Sequence, residues 1–401
     1  MRPLRLLTFS TLYPNAAQPN HGVFVENRLR HLVASGRVVS TVLAPVPYFP
    51  KARALKGIAA RFGWQDYAAA PMRETRHGLA VHHPRYKVIP RIGMNLAPAL
   101  LYRAAARALR RMIADGFEFD AIDAHYFYPD GVAAVRLGQE FGKPVVITAR
   151  GSDITQLAHF PGPRRMIRDA IRRADAMISV SAALGAALVE LGASPERVHV
   201  LRNGIDTQMF RPADRVLSRG VLGVSGHVLV SVGALIERKG HDRTIAALPH
   251  LPGYSLIIAG QGPEREALLA LAQRLGVGDR VRLLGAIPHP LLPELFSAAD
   301  ASVLSSSREG WANVLLESMA CGTPVVASNI PGNPEVVQEP TAGLVVDDNT
   351  PEGIAAGILK LFADLPDRAA TRAYAERFSW DETTQGQVTL FERLVGLPQE
   401  S

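Results

Sequence analysis

Short β-rich runs alternate with amphipathic segments along all 401 residues, and the alternation stops once and begins again. The strand patterns "LRLLTF", "VVSTVLAP", "FDAIDAH", "KPVVITA", "AMISVS" and "RVHVLRN" fill the first half. Helical patterns such as "GVFVENRLRHLVASG" and "PDGVAAVRLGQEFG" separate them. After the polar stretch "NGIDTQMFRPADRVLSRG", a second series opens with "HVLVSVGAL" and runs through "YSLIIAG", "RVRLLGA", "ASVLSS", "TPVVAS" and "AGLVVD". Strands that alternate with helices build parallel sheets with crossover helices. Two such series, in a chain too long for one ordinary core, predict an α/β protein of two successive open sheets facing one another, with a hinge near residues 203–220. Open sheets of this kind bind ligands beyond the carboxyl ends of their strands. The residues just after each strand are therefore the ones to read for chemistry.

Composition narrows the class. At 47% hydrophobic and 20% charged residues the chain reads as soluble and globular. No run is long and apolar enough for a membrane span. The opening "MRPLRLLTFSTLYP" is broken at Thr8 and Ser10, so it is expected to be a first strand rather than a signal peptide. The single cysteine, Cys321, excludes an internal disulfide and fits a cytoplasmic protein. The net charge of +7 is carried almost wholly by arginine, since lysine occurs six times. "LYRAAARALRRM" (101–112) and "RRMIRDAIRR" (164–173) concentrate it. These are solvated helix faces or a surface, with Leu96, Leu100 and Leu101 nearby, that meets anionic lipid at the inner face of a membrane. Nucleic acid is not the expected partner.

Several strand ends carry candidate chemistry. "SVGALIERKGHD" (231–242) passes from strand to helix through Arg238 and Lys239. A planar guanidinium, a point charge and a helix start suit a diphosphate. "NAAQPNHGVFVENRLRHL" (15–32) places Gly22 before a helix, where the backbone can approach a phosphate; the alternative is a plain turn glycine. No dinucleotide fingerprint accompanies it, so no nicotinamide or flavin cofactor is expected. His125 stands just past the strand of "FDAIDAH", as a structural histidine or a ligand-facing one. Arg150, Ser152 and Asp153 end the next strand, and Asp153 can equally be a helix N-cap.

The segment "SREGWANVLLESMACGTPVVAS" (307–328) holds Glu309 at a helix entrance and Glu317 two turns further in. Eight helical residues cover up to about 12 Å, which suits two separate hydroxyl clusters. It does not suit a glycosidase pair, whose carboxyls lie about 5 to 9.5 Å apart.

With "RNGIDTQMF", "GALIERKG", "IIAGQGPERE" and above all "SSSREGWANVLLESMACGTPVVASNIPGNPEVV", the chain resembles the family-4 retaining glycosyltransferases over nearly its whole length. The resemblance implies a GT-B fold, an α/β protein of two Rossmann-like domains facing across a cleft. It implies an acceptor-binding domain over 1–205, joined by a closing helix near 376–401, and a nucleotide-sugar domain over 206–375. It also implies roles. Glu309 binds donor-sugar hydroxyls and Glu317 the ribose. Gly310, Ala312, Asn313 and Val314 form the donor loop, whose backbone N–H groups reach sugar and phosphate. Arg238 and Lys239 hold the diphosphate, Gly22 lets the N-terminal loop reach it, and His125 approaches the sugar. Arg150 and Asp153 lie on the acceptor side. The chain departs from the family pattern at Arg150, where a histidine is usual in His-Gly-x-x-Asp, and at Asp123, where the first histidine of a His-x-His pair is common.

The expected activity is metal-independent, retaining transfer of a sugar from a nucleoside diphosphate sugar to a glycan or lipid-linked acceptor, in cell-surface polysaccharide or glycolipid synthesis. No cofactor is expected. An epimerase or a phosphorylase on the same fold is a rival, the latter needing a pyridoxal-phosphate lysine for which Lys239 is the candidate. The alternative outside enzymes is a non-catalytic two-domain sugar or nucleotide-sugar binding protein.

Overall fold

A computed structural model describes residues 2–48, 69–88 and 93–397. They form two compact units. One contains the residues up to Arg202 together with those from Asp381 onward, and the other is Asn203–Trp380. Positions 398–401 of the expected closing helix lie outside the described residues.

The strands of the first unit are β1 (Leu4–Phe9), β2 (Val38–Leu43), β3 (Val46–Tyr48), β4 (Arg73–Arg76), β5 (Leu79–His82), β6 (Arg85–Lys87), β7 (Ala121–His125), β8 (Val145–Ala149), β9 (Ala176–Ser179) and β10 (Val198–Val200). Eight of them form one sheet in the order β10-β9-β8-β7-β1-β2-β5-β4, and β3 pairs with β6. Among the described residues only β4 of this sheet runs antiparallel, folded back on β5. The six strands read from the first half of the sequence are all present. The short strands β3 to β6 are additional.

The closing helix of this unit lies within Trp380–Val395. Val388, Leu390 and Phe391 join Leu6, Val25 and Leu29 in its core. Gln387 and Glu392 reach Arg28 and Arg37 of the same unit.

In the second unit β11 (His227–Val232), β12 (Tyr254–Ala259), β13 (Val281–Gly285), β14 (Ala301–Leu304), β15 (Val325–Ser328) and β16 (Gly343–Val346) form a fully parallel sheet. Its order is β13-β12-β11-β14-β15-β16. Numbered within the unit this is 3-2-1-4-5-6, the order of dinucleotide-binding sheets. Strands covered on both faces need apolar side chains on both, and Leu256, Ile257, Ile258 and Ala259 of β12 are all buried. The chain reverses direction across the sheet between β11 and β14, which pair at Leu229↔Ala301 and Val230↔Ser302. Loops leaving the carboxyl ends of these neighbours diverge and open a crevice there. Among the described residues no helix is long and apolar enough to cross a membrane.

Candidate active site

Lys239 and Glu309 meet at the crevice of the second unit. Lys239 ends the turn after β11, and Glu309 lies in the loop after β14. Gly240 makes the approach possible. It has φ +68°, and a Cβ there would stand 2.1 Å from the Ser305 carbonyl oxygen, so the Lys239 turn can lie against the end of β14 only with glycine at this position.

Lys239 Nζ donates to Glu309 Oε1 at 2.7 Å, Ser306 Oγ donates to the same oxygen at 2.8 Å, and Arg238 Nη1 lies 3.2 Å from Oε2. The backbone ties the two loops together, since Arg238 Nη1 donates to the Arg308 carbonyl at 2.7 Å and Ser307 N to that of Arg238 at 2.9 Å. The Glu309 side chain is 9% exposed. Burial pushes its carboxyl up, but Lys239 and Arg238 more than offset this and hold it below the ordinary glutamate value. Two cations around one carboxylate leave a net positive edge at a sheet crevice, which suits an anion.

The loop continues through Gly310, Trp311 and Ala312 before the helix Asn313–Ala320 begins. Glu309 is therefore four residues outside the helix, and its separation from Glu317 is not a helical span of eight residues. No side chain caps this helix start. Two of its first N–H groups turn back on the backbone, Asn313 N to the Trp311 carbonyl at 3.1 Å and Leu315 N to that of Ala312 at 3.0 Å. A helix start of this kind favours an anion. Asn313, Val314 and Glu317 are the half-exposed positions of an otherwise buried helix. Their spacing puts them on one side, so Glu317 does not interrupt the buried stripe.

The Glu317 carboxylate has a protein partner that the sequence did not indicate. His289 Nε2 lies 3.0 Å from Glu317 Oε1, and the His289 ring meets Phe210 edge-on at 5.0 Å. Burial lowers the His289 pKa, but the hydrogen bond and charge of Glu317, with Asp206 beyond, raise it above the ordinary value. His289 follows β13 as Glu309 follows β14. Its place just beyond a strand end was the available signal.

The first unit treats its candidates differently. His125 is buried, and Arg150 Nη2 donates to its Nδ1 at 2.7 Å. The ring proton then belongs on Nε2, 3.3 Å from Asp123 Oδ2. Burial holds His125 below its ordinary pKa despite Asp123. Asp123 also accepts from Gln387 Nε2 at 3.2 Å, and Arg28 Nε donates to Gln387 Oε1 at 2.9 Å. The two departures from the family pattern thus flank His125. Arg150 hydrogen-bonds Nδ1, while Asp123 lies near Nε2, which makes no hydrogen bond among the described residues, and the ring lies beneath the edge instead of open on it.

Asp153 is also buried. It accepts from the backbone N–H groups of Phe127 (2.8 Å), Gly151 (2.8 Å) and Arg150 (3.1 Å), so it fastens two loops and is closed to an acceptor. Gly22 serves its own loop: φ is +75°, and a Cβ would stand 2.3 Å from the Leu12 carbonyl oxygen. What stays half-exposed at this edge is Tyr126, Arg150 and Ser152, with the Tyr126 hydroxyl 2.6 Å from Ser152 Oγ. Burial and the charge of Arg28 push the Arg150 pKa down to about 9.

The two arginine-rich segments are the helices Ala97–Ala114 and Pro161–Arg173. Asp169 pairs with Arg172 and Arg173, and Glu140 with Arg110. Arg103, Arg107, Arg111, Arg164, Arg165 and Arg168 are exposed and have no ion-pair partner among the described residues. Met94 (44% exposed), Leu96 (46%) and Phe160 (44%) precede these helices. Asn95 packs against Gly162, which brings the two starts together. Of the leucines expected on this surface, Leu96 is exposed, Leu100 half-buried and Leu101 buried.

Comparison with known proteins agrees with this layout. A family model described as Glycosyltransferase Family 4 matches residues 23–209, and one described as glycosyl transferases group 1 matches residues 222–378. A D-inositol 3-phosphate glycosyltransferase of Acidothermus cellulolyticus is 34% identical over 298 residues, covering 67% of this chain and 66% of that protein. One from Segniliparus rotundus is 31% identical over 72% of this chain and 70% of its own length. Among solved structures, sucrose-phosphate synthase from Thermosynechococcus elongatus superposes with a TM-score of 0.79 at 20% identity, over 98% of this chain and 100% of that one. Anabaena Alr3699/HepE in complex with UDP-glucose gives 0.72 at 22% identity, over 98% and 100%.

Proposed function

Because the chain belongs to the family-4 glycosyltransferases and has their GT-B fold of two Rossmann-like domains, we propose that it transfers a sugar, with retention of anomeric configuration, from a nucleoside diphosphate sugar to an acceptor hydroxyl. The observation that carries the reading is the meeting of Arg238, Lys239 and Glu309 at the β11/β14 crevice. Arg238 and Lys239 take the diphosphate, and the uncapped start of the helix Asn313–Ala320 adds N–H groups from the loop Gly310–Val314. As the sugar departs, charge grows on the leaving diphosphate. Preorganised cations stabilise that charge without a metal ion. Glu309 accepts from sugar hydroxyls and Glu317 from the ribose. Retention then follows from attack on the face the diphosphate leaves, with the leaving phosphate taking the acceptor proton.

In the first unit the partly buried Arg150 is the acceptor-side group, and His125 acts through it by holding the guanidinium. Gly22 shapes the loop beside it. The acceptor is a glycan or a lipid-linked glycan, in cell-surface polysaccharide or glycolipid synthesis. The relatives' names add inositol 3-phosphate as an acceptor to try. The exposed arginines with Met94, Leu96 and Phe160 form the face that meets an anionic bilayer, where a lipid-linked acceptor is found.

The test is to incubate the protein with UDP-, GDP- and ADP-sugars, with and without EDTA, and to follow the anomeric signals by NMR. UDP-glucose comes first, since HepE is known with it. Release of nucleoside diphosphate, unaffected by EDTA, with the first-formed sugar in the donor's configuration, supports the reading. Binding without turnover favours a non-catalytic nucleotide-sugar binder, and an inverted product excludes retention.

A further inference from the structure

We infer that Glu309 is the residue that makes the donor site prefer a sugar-loaded nucleoside diphosphate over the bare nucleoside diphosphate that the reaction leaves behind. The inference rests on the donor-site reading above and concerns what happens to one carboxylate when its partners change.

With no ligand, the donors around Glu309 are Lys239 and Ser306 on Oε1 and Arg238 beside Oε2. Lys239 and Arg238 are also the cations that the diphosphate takes. A diphosphate that engages them draws them from Glu309 and sets its own negative charge beside the carboxylate. Ser306 Oγ then remains as the one donor of the three that is not a cation. A carboxylate only 9% exposed cannot replace the lost donors with water freely. An under-satisfied buried charge is costly.

The sugar changes the outcome. Its hydroxyls donate to the carboxylate that the diphosphate has uncovered, so a loaded donor restores what it removes. A bare nucleoside diphosphate does not. Glu309 therefore acts against the product more than against the substrate, which favours product release as well as donor selection.

The experiment is calorimetric titration of wild type, Glu309→Gln, Glu309→Asp and Lys239→Ala with UDP and UDP-glucose. The pairs GDP and GDP-mannose, ADP and ADP-glucose, and inorganic pyrophosphate are run alongside. Glutamine removes the charge at nearly constant volume. Glu309→Gln is expected to tighten the bare diphosphate about tenfold while leaving the loaded donor unchanged or weaker. A tenfold change corresponds to about 1.4 kcal/mol. Glu309→Asp keeps the charge and is expected to stay within about threefold of the wild-type ratio. Because each ratio comes from one protein sample, a partly folded variant does not imitate the effect.

If Lys239→Ala weakens the diphosphates but Glu309→Gln fails to tighten them, the inference is overturned and the donor site stands. If neither substitution alters binding, or if no probe binds, pyrophosphate included, the donor-site reading falls and the inference with it.

Discussion

His289 and Glu317 are joined by a hydrogen bond of 3.0 Å between parts of the second unit 28 residues apart. The carboxylate assigned to the ribose is thus held in place before any ligand arrives. Glu317 raises the His289 pKa above its ordinary value. A histidine whose pKa is raised on folding contributes stability that is full below its unfolded value and is lost as pH rises through the folded one. The difference in unfolding free energy between wild type and Glu317→Gln, at most about 1 kcal/mol for a pair with this exposure, should therefore shrink as pH rises above about 6.5. Denaturant titrations across that range check it, and a constant difference contradicts it.

The same substitution should weaken bare and sugar-loaded nucleoside diphosphates alike. Each charged hydrogen bond to the ribose contributes about 1.5 to 3 kcal/mol, or roughly ten- to a hundredfold in Kd. Calorimetry of Glu317→Gln decides this, and unchanged affinity would place the ribose elsewhere.

Gly240→Ala should disrupt binding from outside the donor contacts. Its Cβ would collide with the Ser305 carbonyl, and φ +68° is strained for alanine. A stability loss of at least about 1 kcal/mol, with loss of diphosphate binding because Lys239 is displaced, is expected. Thermal melts with and without UDP measure both.

Asp130 gives a pH signature of the first unit. Its carboxylate accepts from Thr11 N and Thr11 Oγ1, and burial pushes its pKa up to about 7. A carboxyl raised on folding favours the fold in its neutral form, so its contribution is full below about pH 4 and declines as pH rises to about 7. Asp130→Asn keeps a neutral side chain with an acceptor for Thr11 N. It should gain stability relative to wild type over that window, and parallel pH profiles would refute this.

The arginine face should bind anionic vesicles and not neutral ones. Each basic residue near such a surface contributes about 1 kcal/mol. Replacing Arg164, Arg165 and Arg168 with glutamine should therefore reduce co-sedimentation with phosphatidylglycerol vesicles many-fold, and high salt should release the protein. No binding at low salt would remove the membrane from the account.

The central strands were legible because a parallel strand buried on both faces reads as an apolar run, as in Tyr254–Ala259. The strand Arg73–Arg76 was not. It is an edge strand of "RETR", half exposed, and Arg76 bonds Glu26 of a neighbouring helix. Arg238, Lys239 and Glu309 were legible because each follows a strand end. Their pairing across 70 residues was not, since it depends on the spatial order of β11 and β14. His289 escaped for the same reason. At His125 the sequence showed unusual residues at 123 and 150. Only the packing shows that Arg150 hydrogen-bonds one ring nitrogen and Asp123 lies 3.3 Å from the other.

Nucleotide release by Lys239→Ala tests the central claim most directly. Wild type and variant, matched by melting temperature, are given UDP-glucose and the other nucleotide sugars, and free nucleoside diphosphate is measured over time. Lys239 acts on charge that develops on the leaving group, so the wild type should release nucleotide from at least one donor. The variant should lose about two to four kcal/mol of transition-state stabilisation, roughly thirty- to a thousandfold in rate. Equal rates in the two proteins, or no release by the wild type from any donor, would contradict the assignment of this crevice as the site of glycosyl transfer.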